Sequence, residues 1–147
     1  MIVTMKQLHV KQVAELENIC FSRPYSEDML KDELNDPNTL YLVEVLPSGQ
    51  VRGYAGLKFI LDEGHITNVA VAPEYRRQGI GDALLERLIE LSGSLGLKSL
   101  MLEVRVSNAG ARAMYEKHGF ETVGMRPGYY FDPEEDAVLM TLKIAPT

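Results

Sequence analysis

Arg76-Arg77-Gln78-Gly79-Ile80-Gly81 places two cations and two glycines just ahead of an apolar helical run that includes Leu84, Leu85 and Leu88. Glycine lets a backbone approach a ligand with no Cβ in the way. The first N–H groups of a helix have no intrahelical partner and carry the positive end of its dipole. Such a segment is a socket for a polyanion, most naturally phosphate or pyrophosphate. It is not a familiar nucleotide loop: no Gly-x-x-x-x-Gly-Lys-Ser/Thr occurs, and the third glycine of the dinucleotide fingerprint is missing. Glu103 is the second feature. In Leu100-Met101-Leu102-Glu103-Val104 the period of two sets Leu100, Leu102 and Val104 on one face and Met101, Glu103 and Arg105 on the other. A carboxylate in a central strand is costly to bury unless it is paired or used. Tyr115 and Asn108 stand on the segment that follows. Each has a plain structural alternative: Gly79 and Gly81 as turn and cap, the arginines as a solvated pair, Glu103 in an ion pair with Arg105 or a neighbouring strand, Tyr115 as core packing, and Asn108 as a helix cap.

The elements that must hold these residues are readable from periodicity. Ile2 to Leu8 can open with a strand, and Val13, Leu16, Ile19 and Cys20 recur at helical spacing between His9 and Phe21. Arg23-Pro24-Tyr25 interrupts that helix, Ser26 caps the next, and Met29, Leu30 and Leu34 form its apolar face. Thr39–Val45 and Val51–Ile60 make a hairpin around Pro47-Ser48-Gly49, and His65–Val71 extends it into a meander. A helix over Gly81–Leu95, a strand over Lys98–Val106 and a shorter helix capped by Ser107 or Asn108 and running through His118 follow, then strands over Phe120–Met125 and Asp136–Ile144. The order β-α-α-β-β-β-α-β-α-β-β describes an α/β domain with a mixed sheet. The strand–helix–strand unit at 65–106 places two strands parallel, and a ligand is expected beyond their C-terminal ends, where the anion socket lies.

With 147 residues, 46% of them hydrophobic and 24% charged, the chain reads as one globular domain over 1–147. A net charge of −6 argues against nucleic-acid binding. The lone Cys20 fits a reducing compartment and is expected as a buried structural thiol. His9, His65 and His118 lack ligand spacing, so no metal site is expected. No stretch has the length of a membrane span and no leader pattern is evident, which points to the cytoplasm.

Taken together, these residues resemble the GNAT family of N-acetyltransferases over essentially the whole chain. Arg76 to Gly81 matches its Arg/Gln-x-x-Gly-x-Gly/Ala signature, Asn68–Tyr75 its fourth strand and exit, and Leu102–Asn108 with Ala113–Phe120 the following strand and helix. Within the family the chain is most similar to the ribosomal-protein-alanine N-acetyltransferases, through Leu-Glu-Val-Arg-x-Ser-Asn and the Arg-x-x-Tyr-Tyr run at Arg126–Tyr130. Pro24-Tyr25-Ser26 stands where that subgroup has Pro-Trp-Ser, and Arg23 replaces an apolar residue.

The resemblance implies a GNAT fold and acetyl-CoA as donor. It implies main-chain contacts from Val69, Ala70 and Val71 to the pantetheine arm. It also implies a pyrophosphate seat over Arg76, Arg77, Gln78, Gly79, Ile80, Gly81 and Asp82, and a donor contact from Asn108. Glu103 would be the general base and Tyr115 the general acid, with Tyr25, Tyr129 and Tyr130 lining the acceptor groove. The implied acceptor is a peptide or protein N-terminus, with the N-terminal alanine of a small-subunit ribosomal protein first. A GNAT enzyme acting on a small amine or lysine, and a non-catalytic acetyl-CoA sensor or adaptor, are the competing readings.

Overall fold

The structure, a computed structural model, describes residues 1–145; the last two residues of the expected domain lie outside the described residues. Seven strands form one sheet: β1 (Ile2–Thr4), β2 (Thr39–Val45), β3 (Val51–Ile60), β4 (Glu63–Val71), β5 (Ser99–Arg105), β6 (Glu121–Tyr130) and β7 (Glu135–Lys143). Their spatial order is β1-β2-β3-β4-β5-β7-β6. All neighbours are antiparallel except β4 and β5, which the helical crossover makes parallel. The four helices are α1 (Val10–Cys20), α2 (Glu27–Asn35), α3 (Ile80–Ser94) and α4 (Ala109–Lys117).

Alternation along the strands divides the interior into two cores. Leu42, Ala55, Leu57, Leu100, Leu102 and Val104 pack with Leu84, Leu85 and Leu88 of α3 and with Tyr115 and Phe120. Tyr41, Val43 and Tyr54 face the other way, onto Val10, Val13 and Leu16 of α1 and Leu30 of α2. Ser26 caps α2 as expected, its hydroxyl accepting from the Met29 N–H at 3.2 Å.

The junction of β4 and β5 positions everything that follows. The strands pair only at Glu63–Ser99, Gly64–Leu100 and His65–Met101, although β4 continues to Val71 and β5 to Arg105. Two residues past the last pair, β4 carries a bulge: Leu57 faces Ile66 and Gly56 faces Asn68, leaving Thr67 without a partner on β3. A bulge adds twist and bends its strand, and here β4 turns away from β5. Gly64 sits at the base of the parting, where a Cβ would lie 2.6 Å from Leu100 Cδ2 and 2.9 Å from Leu57 Cδ1.

Several boundaries differ from the sequence reading. The first strand stops at Thr4 because Gln7–His9 winds into a 3-10 turn, with the Lys6 N–H donating to His9 Nδ1 at 2.9 Å. β6 does not end at Met125. It continues through Arg126–Tyr130, and Pro127 and Gly128 (φ 61°) are absorbed as an irregularity that an edge strand tolerates. Ile19 and Met29 are 63% and 46% exposed rather than packed. Cys20 is half-buried, not a core thiol.

Gly64→Ala is expected to destabilise the fold by about 1–3 kcal/mol through overpacking against three buried leucines. Urea unfolding checks this: the midpoint should fall at unchanged m-value.

Candidate active site

The opening between β4 and β5 is lined on one side by Ile66–Val69 and on the other by Leu102–Arg105, and encloses a cavity of about 510 Å³. A second cavity of about 600 Å³ continues from it toward the first turn of α3. Cys20, Phe21, Val69, Asn108 and Ala111 line both, so the two are chambers of one cleft with a shared neck.

The second chamber contains the anion socket. Gly79 is the N-cap of α3 in a left-handed conformation at φ 80°, and Arg77 also has a positive φ of 64°. Gly81 lets the first turn lie close to α4: a Cβ there would stand 3.2 Å from Met114 Sδ. Arg77, Gly79, Ile80, Gly81 and Asp82 line the chamber, whereas Gln78 is exposed and outside the lining. Asp82 points its carboxylate elsewhere, to His118 Nε2 at 2.8 Å and Lys117 Nζ at 3.3 Å. The His118 hydrogen bond, ahead of Lys117, holds that carboxyl below its ordinary range. The contact ties the start of α3 to the end of α4.

Along β4 the peptide groups can be assigned by alternation. Ala72 N–H donates to the Arg52 carbonyl at 2.8 Å, so the Tyr54–Ala70 pair is the next bonded pair of the antiparallel ladder. Val69 and Val71 therefore turn their peptide groups toward the gap, while Ala70 is bound into the sheet. The Val71 carbonyl accepts from Arg76 Nε at 3.2 Å, and Arg76 Nη2 lies 3.5 Å from Cys20 Sγ. Arg76 thus borders the chamber with its guanidinium engaged, and Arg77 supplies the exposed cation.

Glu103 and Tyr115 both line the first chamber, from β5 and α4. Glu103 Oε2 is 2.6 Å from Nε2 of His65 on β4. That hydrogen bond chiefly, with Arg126 as a further positive charge, keeps the Glu103 carboxyl below its ordinary range. Its partner is the neighbouring strand and not Arg105. Tyr115 is 7% exposed and meets Phe120 edge-on at 5.6 Å; burial pushes its phenol pKa up, so it stays protonated. Asn108 caps α4, Oδ1 accepting from Ala111 N–H at 3.1 Å, and also lines the neck.

The outer wall is aromatic. Tyr25, Tyr129 and Tyr130 all line the first chamber, the latter two ring to ring at 5.0 Å and 90°. Burial, ahead of nearby Tyr129 and Glu103, pushes the Tyr130 pKa up to about 12. Arg105 fixes this wall by donating to the carbonyls of Pro133 and Phe131, each at 2.9 Å, while its guanidinium lies 4.5 Å from the Tyr130 ring centre. Arg23 reaches across the mouth, over the Phe131 ring at 4.7 Å and 3.8 Å from Asp132.

Two residues of the site went unread in the sequence. Glu17 is 1% exposed; its Oε1 accepts from the Tyr25 N–H at 2.9 Å, and its Oε2 from Asn68 Nδ2 at 2.9 Å and from the Tyr54 hydroxyl. Its visible signal is a glutamate four residues after Val13 on a helix face otherwise apolar. His65 carried no such signal, because its meeting with Glu103 depends on strand register.

Burial raises the Glu17 pKa above its ordinary 4.5. A raised carboxyl stabilises the fold below the unfolded value and loses that contribution as pH climbs through the folded value. The stability difference between Glu17→Gln and the unaltered protein should therefore move in the variant's favour as pH rises from 4.5 toward neutrality. Urea titrations at a series of pH values measure it; a pH-independent difference would refute the effect.

Comparison with known proteins agrees with this architecture. A ribosomal protein bS18-alanine N-acetyltransferase of Escherichia coli is 39% identical over 133 residues, covering 88% of each chain. Its counterpart in Haemophilus influenzae is 37% identical over 134 residues, covering 88% of this chain and 89% of that one. The crystal structure of the ribosomal-protein-S18-alanine N-acetyltransferase from Escherichia coli superposes with a TM-score of 0.90 at 34% identity, spanning 100% of this chain and 95% of the other. The family model for the Acetyltransferase (GNAT) family matches residues 10–120, and the chain belongs to that family.

Proposed function

We propose that this N-acetyltransferase moves the acetyl group of acetyl-CoA to the α-amine of an N-terminal alanine, with ribosomal protein bS18 as its acceptor. The observation that supports the reading is that Glu103 and Tyr115 line one chamber, which shares a neck with the anion socket. The acceptor's identity rests on the names of relatives that this chain matches along most of its length. A cytoplasmic protein of one domain over 1–147 suits such an acceptor.

The residues fit the donor. Val69 offers the gap a peptide group with no competing side chain, as an added strand requires, and Val71 offers an N–H beside a carbonyl already held by Arg76. The first-turn amides from Ile80 to Asp82, with Arg77 beside them, suit a pyrophosphate. Asn108 at the neck is placed to orient the thioester. The bound donor supplies an activated acetyl group, and the rest is the work of side chains.

An α-ammonium has a reference pKa near ~7.7–8, so roughly a tenth to a fifth is already neutral at pH 7, whereas a lysine near ~10.4 is almost wholly charged. The difference is roughly 3.4 kcal/mol of deprotonation that an α-amine substrate does not require. Glu103 accepts the proton as the nitrogen attacks, directly or through one water. Tyr115 holds its proton toward the departing sulfur. An ordinary phenol near ~10 facing a thiolate near ~8.5 is already about 2 kcal/mol uphill for full transfer, and burial of Tyr115 widens that gap, so the hydrogen bond forms before the proton moves. Tyr25, Tyr129 and Tyr130 enclose the first residue of the acceptor.

Glu103→Gln and Tyr115→Phe are each expected to lower kcat by roughly 10²–10⁴-fold while leaving CoA affinity intact. Turnover of acetyl-CoA with Ala-starting, Ser-starting and lysine-bearing peptides, beside a small polyamine, tests the acceptor. Turnover of the polyamine with none of the Ala-starting peptide would overturn it.

A further inference from the structure

Two glutamates line the first chamber, and the transfer proposed above uses only Glu103. Glu17 reaches the chamber from α1, at 1% exposure and with no cation among its hydrogen-bond partners. Three donors converge on it instead. The Tyr25 N–H reaches Oε1 at 2.9 Å, and Asn68 Nδ2 reaches Oε2 at 2.9 Å beside the Tyr54 hydroxyl. Asn68 Nδ2 also donates to the Tyr54 oxygen at 2.8 Å, which closes a triangle of side chains on the Oε2 side. Oε1 has a single partner among the described residues, and that partner is backbone.

The two sides of this contact are held unequally. Asn68 belongs to β4 and faces Gly56 of β3, with the Tyr54–Ala70 pair two residues further on. The segment from Ser22 to Ser26 is neither helix nor strand, and Pro24 has no N–H. Within it the Tyr25 N–H is the one main-chain donor with a partner among the described residues. Glu17 therefore holds the main-chain tether of the segment that presents the Tyr25 ring to the chamber.

We propose that Glu17 is a positioning residue for the acceptor, fixing how far the Tyr25 wall stands from β4 by the reach of its side chain and not by its charge. The proposal rests on the reading of Tyr25 as part of the acceptor groove. Burial already works against the charge, raising the carboxyl above its ordinary range. A carboxamide of the same length can keep the whole arrangement. Its oxygen accepts from the Tyr25 N–H, and its NH2 meets Asn68 once the Asn68 amide turns over, because Asn68 Oδ1 has no partner among the described residues. The Tyr54 hydroxyl then accepts from position 17 and donates to Asn68 Oδ1, so no buried donor is orphaned. Removing one methylene has the opposite effect: the charge stays, and the oxygens withdraw by about 1.5 Å. The shortened group serves either Tyr25 or the Asn68–Tyr54 pair. Since β4 is held by its ladder, the Tyr25 segment is the side that moves.

Glu17→Asp and Glu17→Gln separate reach from charge. With acetyl-CoA and an Ala-starting peptide, Glu17→Asp should raise the KM for the peptide about tenfold, with kcat and the KM for acetyl-CoA changed by less than about twofold. Glu17→Gln should leave all three near the unaltered values. Exchange of the Tyr25 amide, followed by NMR, should quicken in Glu17→Asp and stay slow in Glu17→Gln, with urea midpoints confirming that both are folded. An unchanged peptide KM in Glu17→Asp overturns the proposal. A rise of equal size in both variants also overturns it, by assigning the effect to charge, and so does an equal rise in both KM values of Glu17→Asp, by assigning it to general loosening. If the unaltered enzyme acetylates a small polyamine and not the peptide, the acceptor reading fails on its own, and the same KM comparison with the polyamine decides the role of Glu17.

Discussion

Parallel pairing between β4 and β5 lasts three residues and then stops, with both strands still running. Backbone N–H and C=O groups inside a sheet need partners, and past His65 those of β4 have none on β5. The cleft is the consequence. Its walls are two strand edges, its floor is the sheet's parting, and its far end is the first turn of α3, itself a set of amides without partners. Both ends of the cleft present unused backbone donors, so an elongated ligand with an amide-bearing arm and an anionic head matches its polarity without any charged residue in the middle.

Polar clamps tie loops to both sides of the parting. Glu17 fastens the loop before α2 to Asn68, one residue beyond the bulge in β4, and Arg105 fastens the tip of the β6–β7 hairpin to β5. The tyrosine-lined wall is therefore assembled from two segments distant in sequence, each tied to one of the two diverging strands. A shift in the angle between β4 and β5 would move both tyrosine-bearing loops together. The two chambers are thus set by one structural variable.

Much of this was legible in the residues. The hairpin over Thr39–Val45 and Val51–Ile60 emerged with the boundaries read from its β-branched pattern, and the face alternation of Leu100 to Arg105 is that observed. The anion socket at Gly79 and Gly81 followed from the order of strand, helix and strand, and the grouping of Glu103, Tyr115 and Asn108 with it followed from the resemblance to the GNAT family. What escaped was set by tertiary register. The bulge at Thr67 leaves no mark in a run of β-formers, and Arg126–Tyr130 reads as a loop because Pro127-Gly128 outweighs its aromatic neighbours until pairing with β7 overrides it. Glu17 was hidden inside an apolar periodicity that counts only hydrophobic positions, and His65 by a pairing between strands 38 residues apart.

The irregular course of β6 has a further effect. It is the outermost strand on its side of the sheet, and its aromatic end lines the cleft. A long exposed edge rich in Val123, Met125, Tyr129 and Tyr130 would ordinarily template another strand and lead to aggregation. Pro127 offers no donor to such a partner, Gly128 (φ 61°) breaks the pleat beside it, and Arg126 places a charge at the same point. The kink that shapes the tyrosine-lined wall thereby also blunts this edge against pairing with a further strand.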